Sequence, residues 1–501
     1  MFTSVLDWLD ARALSHPDKN AYVCGDTAVT FKQVADTTKA IGTYLAQHIA
    51  PCQPVICMSG RHPYTPSYFL SVVRAGCTYA PIDSTMPTAR LQQMIEVANA
   101  DYMLVDRGSY EKASSLGFEG EIIVAEDVAD TAPDEELLKE ARKGITELSP
   151  LYIIFTSGST GKPKGVITSH HSLMCYIDAV SEVLKVDDSD VFGGQAPLDY
   201  IAAVRDIYFP LKAGATTVII PKSEFAIPTE LFNTLNRNKV TALCWSVAGV
   251  ELPAKLNAFS ECKPEYLKKV CFSGSVMSPK LLRVWQDALP EVMFVNQYGP
   301  TEATASCTYY VVKDKVEEDT VLPIGQPYKH YRIQLLKEDN TLALPGEVGE
   351  ICVSGPCLAL GYYRNPEKTA ESFMQNPLND CYRELIYKTG DLGSFNEQGE
   401  LMFHGRKDRQ IKHMGHRIEL EEIEGAAKRV DGVRTCCSLY QKEKELLYLF
   451  YTGDATPKEI TLFFRAQMPA FMVPRKIMQL DELPALPNGK TDMNALKAYF
   501  K

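Results

Sequence analysis

Short apolar runs at 54–58, Tyr102–Val105, 122–124, 152–155 and 217–220 alternate with longer amphipathic stretches, and this alternation constrains the fold more than any other feature of the chain. Runs this short and this uniformly apolar suit strands buried on both faces of a parallel sheet. The stretches at Phe31–His48 and 279–289 place apolar residues three or four apart, as helices covering such a sheet require. The expected class is α/β. From about residue 333 the runs become shorter and Gly-bounded, as at Gly349–Ser354 and 401–403, which predicts a small β unit closing the main domain. Beyond it, a helix at 419–429, strands at 436–440 and 446–451 and a helix at Pro457–Gln467 predict a compact α+β domain. The division is expected in Gly405-Arg406-Lys407-Asp408-Arg409-Gln410, giving domains 1–407 and 408–501.

A chain of 501 residues with 45% apolar and 23% charged side chains can build more than one core. Its net charge of -11, from 52 basic and 63 acidic residues, argues against broad binding to nucleic acid or acidic lipid. Fourteen cysteines are too dilute for a disulfide scaffold and lack zinc-site spacing, so they read as reduced core residues. Residues 1–10 carry two aspartates and no basic run, unlike a signal peptide. The apolar runs at 151–155 and 218–221 fall well short of the roughly 20 residues of a membrane helix. No membrane insertion and a cytoplasmic location are therefore expected.

The chemistry concentrates first in Thr156-Ser157-Gly158-Ser159-Thr160-Gly161-Lys162-Pro163-Lys164-Gly165, directly after the apolar run at 151–155. Glycines let backbone N–H groups approach phosphate oxygens, hydroxyls donate further hydrogen bonds, and Lys162 and Lys164 offset negative charge. The spacing is not that of a P-loop, because Gly158 and Gly161 are too close and Pro163 follows Lys162. Its place after a strand and its paired lysines favour phosphate binding over a flexible surface loop.

With this loop the chain resembles the adenylate-forming superfamily of acyl-CoA synthetases, luciferases and nonribosomal peptide synthetase adenylation domains. The resemblance runs through nearly the whole chain in family order: Arg74-Ala75-Gly76-Cys77-Thr78-Tyr79-Ala80-Pro81-Ile82-Asp83, the loop itself, then Asn296-Gln297-Tyr298-Gly299-Pro300-Thr301-Glu302. Gly346-Glu347-Val348-Gly349-Glu350, Tyr387-Lys388-Thr389-Gly390-Asp391, Gly405-Arg406-Lys407-Asp408, Gly415-His416-Arg417-Ile418-Glu419 and Pro487-Asn488-Gly489-Lys490 follow. In length and wording it looks most like the stand-alone amino-acid–carrier protein ligases, such as the D-alanine–carrier protein ligases. The resemblance implies a large domain of two mostly parallel sheets with a small β unit, and a small, mobile C-terminal lid.

Roles follow from the resemblance position by position. The loop from Thr156 to Lys164 would hold the ATP phosphates, Tyr298 beside Gly299 would lie on the adenine, and Asn296 would meet its exocyclic amine. Glu302 and Thr301 would place Mg²⁺, Asp391 would accept the ribose hydroxyls, and Arg406 would contact ribose or α-phosphate. Lys490 would bridge the attacking carboxylate and the α-phosphate; outside the motif set, such a lysine reads as a solvated loop residue. Asp408 would be the hinge between half-reactions. The implied reaction is attack of a carboxylate on the α-phosphate, release of pyrophosphate, and transfer of the acyl group to a thiol.

Amino-acid-activating relatives place an aspartate against the substrate's α-amine, and matching Gln195-Ala196-Pro197 and Asp206-Ile207-Tyr208 to that pattern puts Ile201 there. Asp199, two residues earlier, would meet a displaced amine such as that of a β-amino acid, or serve as a cap or turn residue before Ala202. The other matched pocket positions are Ala202, Arg205, Cys244, Cys271, Ser273, Gln297, Ala305 and Ser306, a set suited to a compact polar acid. Arg205 would bind a second carboxylate or carbonyl, or pair with neighbouring acids. His170, His171, His404, His413 and His416 lack the spacing of a metal motif, and the acidic run 419–424 reads as a favourable helix start. The expected partners are a small carboxylic acid, ATP and a phosphopantetheinylated carrier protein acting in trans. Free CoA, as in acyl- or aryl-CoA synthetases, is the alternative acceptor. A catalytically silent nucleotide-binding relative is the alternative from another class, opposed by Lys490, Glu302 and Asp391.

Overall fold

The computed structural model describes residues 3–158, 162–485 and 491–500. These form two compact units: Met1–Ser84 with Ala98–Ile154 and Gly165–Lys407, and Thr85–Val97 with Phe155–Lys164 and Asp408–Lys501.

The larger unit is built on two sheets rich in parallel strands. In the first, the order is Gln326–Pro327, Thr308–Val312, Met293–Tyr298, Lys269–Ser273, Ala242–Ser246, Val191–Gly194, Thr216–Ile219, Asn20–Cys24 and Thr27–Thr30. Its middle strands run parallel and its edges are closed by antiparallel neighbours. In the second, Gly361–Tyr362, Lys164–Ser169, Pro150–Thr156, Thr78–Asp83, Pro54–Ser59, Tyr102–Val105 and Glu121–Val124 lie side by side. The short apolar runs become these strands because they are buried on both faces, as along Pro54–Ser59 and Tyr102–Val105. The run at 217–220 is displaced by one residue, since Thr216 pairs with Val191 and Ile219 with Gly194.

Helix Phe31–His48 matches its sequence pattern to the residue. Thr30 caps it reciprocally with Gln33, and its apolar face is buried. The small β unit is a five-stranded antiparallel sheet of Arg332–Leu336, Gly349–Ser354, Leu385–Phe395, Phe373–Gln375 and Leu401–Arg406. One continuous core, including Trp8, Tyr79, Tyr152, Tyr176, Tyr208 and Tyr328, fills much of this unit.

In the smaller unit, the hairpin Gln410–His413 and His416–Glu419 leads into helix Leu420–Ala427. That helix starts one residue later than the acidic pattern predicts because Glu419 belongs to the hairpin, where its Oε1 accepts from Gln410 Nε2 at 2.5 Å, and it ends two residues earlier, at Ala427. Strands Val433–Gln441, Leu446–Gly453 and Lys476–Gln479 carry Leu447, Leu449 and Tyr451 against Ile423, Ile460 and Phe464. Helix Pro457–Gln467 starts with a Thr456–Glu459 capping box and a proline at its first turn. Among the described residues, no helix is long and apolar enough to cross a membrane.

Candidate active site

Strand Met293–Tyr298 and the turn after it place the nucleotide-related side chains of the larger unit. Gly299 permits a close return of the chain, since a Cβ there would lie 2.5 Å from the Ser306 Cα. The short turn Thr301–Ala303 then sets Thr301 and Glu302 in the interior. Thr304 and Ala305 complete it with φ of 49° and 70°, left-handed values that are unfavourable for both residue types and concentrated beside Glu302. Glu302 is fully buried and accepts from the Tyr362 hydroxyl at 2.7 Å. Its backbone carbonyl also accepts from the Ala359 N–H at 2.9 Å.

On the neighbouring antiparallel sheet, Asp391 faces Arg406 across a register pair, and Arg406 Nη1 donates to Asp391 Oδ1 at 2.6 Å. The other carboxylate oxygen accepts from the Tyr298 hydroxyl at 2.5 Å. Burial, then the adjacent Asp391 charge, raises the Tyr298 phenol well above its ordinary range, so it remains a donor. The Asn296 side-chain amine donates to the Pro323 carbonyl at 2.8 Å, which leaves its carbonyl as the acceptor an exocyclic amine needs. Glu302 and the Thr301 hydroxyl are hard oxygen donors of the kind Mg²⁺ takes. Among the described residues no cluster of three or more metal-binding side chains occurs. A magnesium ion here would depend on phosphate oxygens for its remaining ligands, as is usual for nucleotide-bound Mg²⁺.

The acyl-pocket positions separate into one row and one outlier. Parallel register aligns Cys244 with Cys271 and Ser273 with Gln297, so these four side chains share one face of the sheet. Arg205, in the first turn of helix Ala203–Ala213, reaches this row: its Nη1 donates to Gln297 Oε1, and Gln297 Nε2 donates to the Tyr328 hydroxyl at 2.7 Å. The next residue, Asp206, turns elsewhere. Its carboxyl packs against Gly194, both its oxygens lack hydrogen-bond partners among the described residues, and burial pushes its pKa up to about 7. Ile201 and Ala202 precede the helix, and Ser306 lies beside Tyr176.

Asp199 is the outlier. Its Oδ2 accepts from the Asp83 N–H at 3.1 Å, and it lines a cavity of about 10 Å³ with Asp83, Arg61 and Leu198. Burial, reinforced by the Asp83 charge, pushes Asp199 up to about 7. It does not cap helix Ala203–Ala213, whose N-cap, Ala202, makes no side-chain capping bond. Tyr176, Tyr328 and Tyr362 escaped the sequence reading because each lies far along the chain from its partner, and an isolated tyrosine gives no local signal.

In the smaller unit, the Thr156 hydroxyl at the head of the Gly/Ser/Thr/Lys loop is buried and has no hydrogen-bond partner among the described residues. A Cβ on Gly158 would lie 2.1 Å from the Lys162 carbonyl, so only glycine fits at this position. Ser157 Oγ donates to the Arg417 carbonyl at 2.8 Å, and Lys162 pairs with Glu96 at 2.8 Å. Lys164 opens strand Lys164–Ser169. Asp408 Oδ1 accepts from the Gln410 N–H at 3.2 Å. Ser159, Thr160, Gly161 and Lys490 lie outside the described residues.

The chain is similar to known proteins in sequence and in fold. The family model described as AMP-binding enzyme matches residues 9–363. The D-alanine--D-alanyl carrier protein ligase of Bacillus thuringiensis (strain Al Hakam) is 31% identical over 512 aligned residues, covering 98% of each chain. The Vibrio cholerae adenylation domain AlmE, solved with glycyl-adenosine-5'-phosphate, superposes with a TM-score of 0.85 at 24% identity, covering 99% of this chain and 98% of its own. Holo-PA1221, a nonribosomal peptide synthetase protein with adenylation and PCP domains, gives 0.84 at 24% identity, covering 99% and 84%. These two structures share the fold. The chain belongs to the AMP-binding enzyme family and is an adenylate-forming ligase.

Proposed function

We propose that this ligase uses ATP and Mg²⁺ to convert a small polar carboxylic acid into its acyl-adenylate, then passes the acyl group to the phosphopantetheine thiol of a separate carrier protein. The observation that carries this reading is the set of buried Tyr298, Asp391 and Glu302 with half-buried Arg406, which offers an aromatic face, paired ribose acceptors and a hard-oxygen ligand. Asp391 would exchange its bond from Tyr298 for the ribose hydroxyls, with Arg406 keeping the carboxylate oriented. Glu302 and Thr301 would hold Mg²⁺, which would neutralise phosphate charge. The loop from Thr156 to Lys164 would supply hydroxyl and N–H donors to phosphate oxygens, and the Thr156 hydroxyl, unpartnered among the described residues, supports that role. Lys490 would stabilise the charge that develops as the carboxylate attacks the α-phosphate. Asp408 would be the hinge between the two half-reactions.

The row formed by Arg205, Gln297, Cys244, Cys271 and Ser273 supports a compact acid whose far end offers an oxygen acceptor. Asp199 lends little support to an amine there. Its cavity holds about one water, too little room for an ammonium-bearing group. The D-alanine--D-alanyl carrier protein ligases matched along 98% of this chain support a carrier protein over CoA as acceptor, and make D-alanine the amino acid to test first. A cytoplasmic location fits this role.

The test is acid-dependent ATP–pyrophosphate exchange with purified protein and Mg²⁺, over D-alanine, β-amino, hydroxy, oxo, dicarboxylic, aryl and fatty acids. The expected result is exchange with a small oxygen-bearing acid, lost in Lys490→Ala. Exchange with D-alanine alone would overturn the acceptor reading of Arg205. Thioester formation with CoA but not with a holo-carrier protein would overturn the acceptor assignment.

A further inference from the structure

Helix His170–Leu184 carries a reactive cluster that adenylation does not use. His171 and Cys175 stand four residues apart and so share one helix face. Cys175 Sγ lies 3.6 Å from His171 Nε2, and His171 Nδ1 lies 3.6 Å from Glu147 Oε2. His171 thus faces the Cys175 sulfur with one ring nitrogen and the Glu147 carboxylate with the other.

A second cysteine reaches the same face from a distant strap. Ser172 Oγ lies 2.9 Å from the Pro356 carbonyl and 2.8 Å from the Leu358 carbonyl, holding the chain on both sides of Cys357 against this helix. Cys175 is one turn beyond Ser172, which brings the Cys357 thiol close enough to interact with its sulfur. That interaction, with His171 adding to it, brings Cys175 down to about 7 against the opposing effect of burial. Burial, then the same interaction, raises Cys357 well above the ordinary thiol range. The pair is asymmetric: a half-buried sulfur that favours the thiolate stands beside a buried sulfur that keeps its proton.

We propose that Cys175 is an oxidation site for hydrogen peroxide and that Cys357 is its resolving partner, the two forming an intrachain disulfide. The Cys175 thiolate attacks one peroxide oxygen, the O–O bond breaks, and the departing hydroxide takes a proton to become water. The resulting sulfenic acid is attacked by the Cys357 sulfur, which loses its proton as the S–O bond breaks and a second water leaves. Two thiols lose two electrons, and the peroxide gains them.

The strap is also tied to the Glu302 turn. Thr304 Oγ1 donates to the Cys357 carbonyl at 2.7 Å, and the Ala359 N–H donates to the Glu302 carbonyl at 2.9 Å. A disulfide requires the sulfurs to close to about 2.05 Å, which draws Cys357 towards the helix and pulls on both bonds. Oxidation therefore lowers adenylation reversibly, a consequence that rests on the function proposed above, whereas the cross-link does not.

The experiment is peptide mapping of the full chain under non-reducing conditions after limited hydrogen peroxide treatment. The expected product joins the Cys175 and Cys357 peptides and lacks two hydrogens. It is lost in Cys175→Ser and in Cys175→Ala, while Cys357→Ser stops at a sulfenic acid on Cys175 that dimedone traps. Exchange activity should fall on oxidation, return with dithiothreitol, and resist peroxide in Cys175→Ser. Oxidation confined to the exposed Cys52 and Cys381, or no dimedone adduct at Cys175 in Cys357→Ser, would overturn the site. A complete cross-link with unchanged exchange would overturn only its coupling to Glu302.

Discussion

Glu302 and Tyr362, separated by 60 residues in the chain, meet in the interior through a 2.7 Å hydrogen bond from phenol to carboxylate. A fully buried carboxylate depends on such donors, because burial strips away the water that would otherwise solvate it. Tyr362→Phe removes one donor and leaves the ring in place. The expected cost is about 1.5–3 kcal/mol, the usual range for a hydrogen bond to a charged group, read as a lower urea midpoint with an unchanged slope.

Asp391 serves two donors at once, Tyr298 and Arg406. Asp391→Asn keeps the shape but removes the charge that Arg406 faces. Loss of one charge-assisted bond predicts about a 10- to 100-fold fall in kcat/KM for ATP, measured by exchange at limiting ATP. Tyr298→Phe should affect ATP use less, because it frees an acceptor that ribose hydroxyls can use.

Arg205 is 1% exposed and its described side-chain hydrogen bonds run to Gln297 and the Ala202 carbonyl. Its described hydrogen-bond partners are a neutral amide and a backbone carbonyl, so Arg205→Met breaks no hydrogen-bonded ion pair. Arg205→Met should therefore fold, with a stability change of about 2 kcal/mol or less. Its exchange with an oxygen-bearing acid should fall by at least about tenfold, an effect of about 1.4 kcal/mol. Unchanged acid preference would remove Arg205 from the acyl pocket.

Asp199 makes the folded state sensitive to pH. Its folded pKa, about 7, lies above the ordinary value of 3.8. The folded state therefore holds the proton more tightly than the unfolded state, and stability from this group is full below the ordinary value. It is lost as pH rises through about 7. Asp199→Asn removes this term, so its urea midpoint relative to the parent chain should increase between pH 5 and pH 8. A constant difference across that range would show that Asp199 ionises freely in the folded protein.

Much of the larger architecture was legible in local pattern. Phe31–His48, Tyr102–Val105, Gly349–Ser354 and Pro457–Gln467 match their sequence readings to the residue, because burial periodicity and end caps are local properties. The displaced strand at Thr216–Ile219 and the shortened helix at Leu420–Ala427 depart where pairing with another strand, outside any local window, sets the boundary. The adenylation chemistry was legible in a different way, through the order and residue types of its motifs, and the AMP-binding family match agrees with it.

The chain's sequence by itself determined which segments become strands and helices, the family to which it belongs, and which residue types are present for chemistry. Tertiary structure decided which of those residues meet. Arg205 reaches Gln297 while adjacent Asp206 packs on Gly194, Asp199 turns to Asp83, and Cys175 finds Cys357. Each outcome depends on strand register, on the helix face a side chain occupies, and on loops that return from distant parts of the chain. Local spacing encodes the direction of a side chain relative to its own element, and packing between elements supplies its partner.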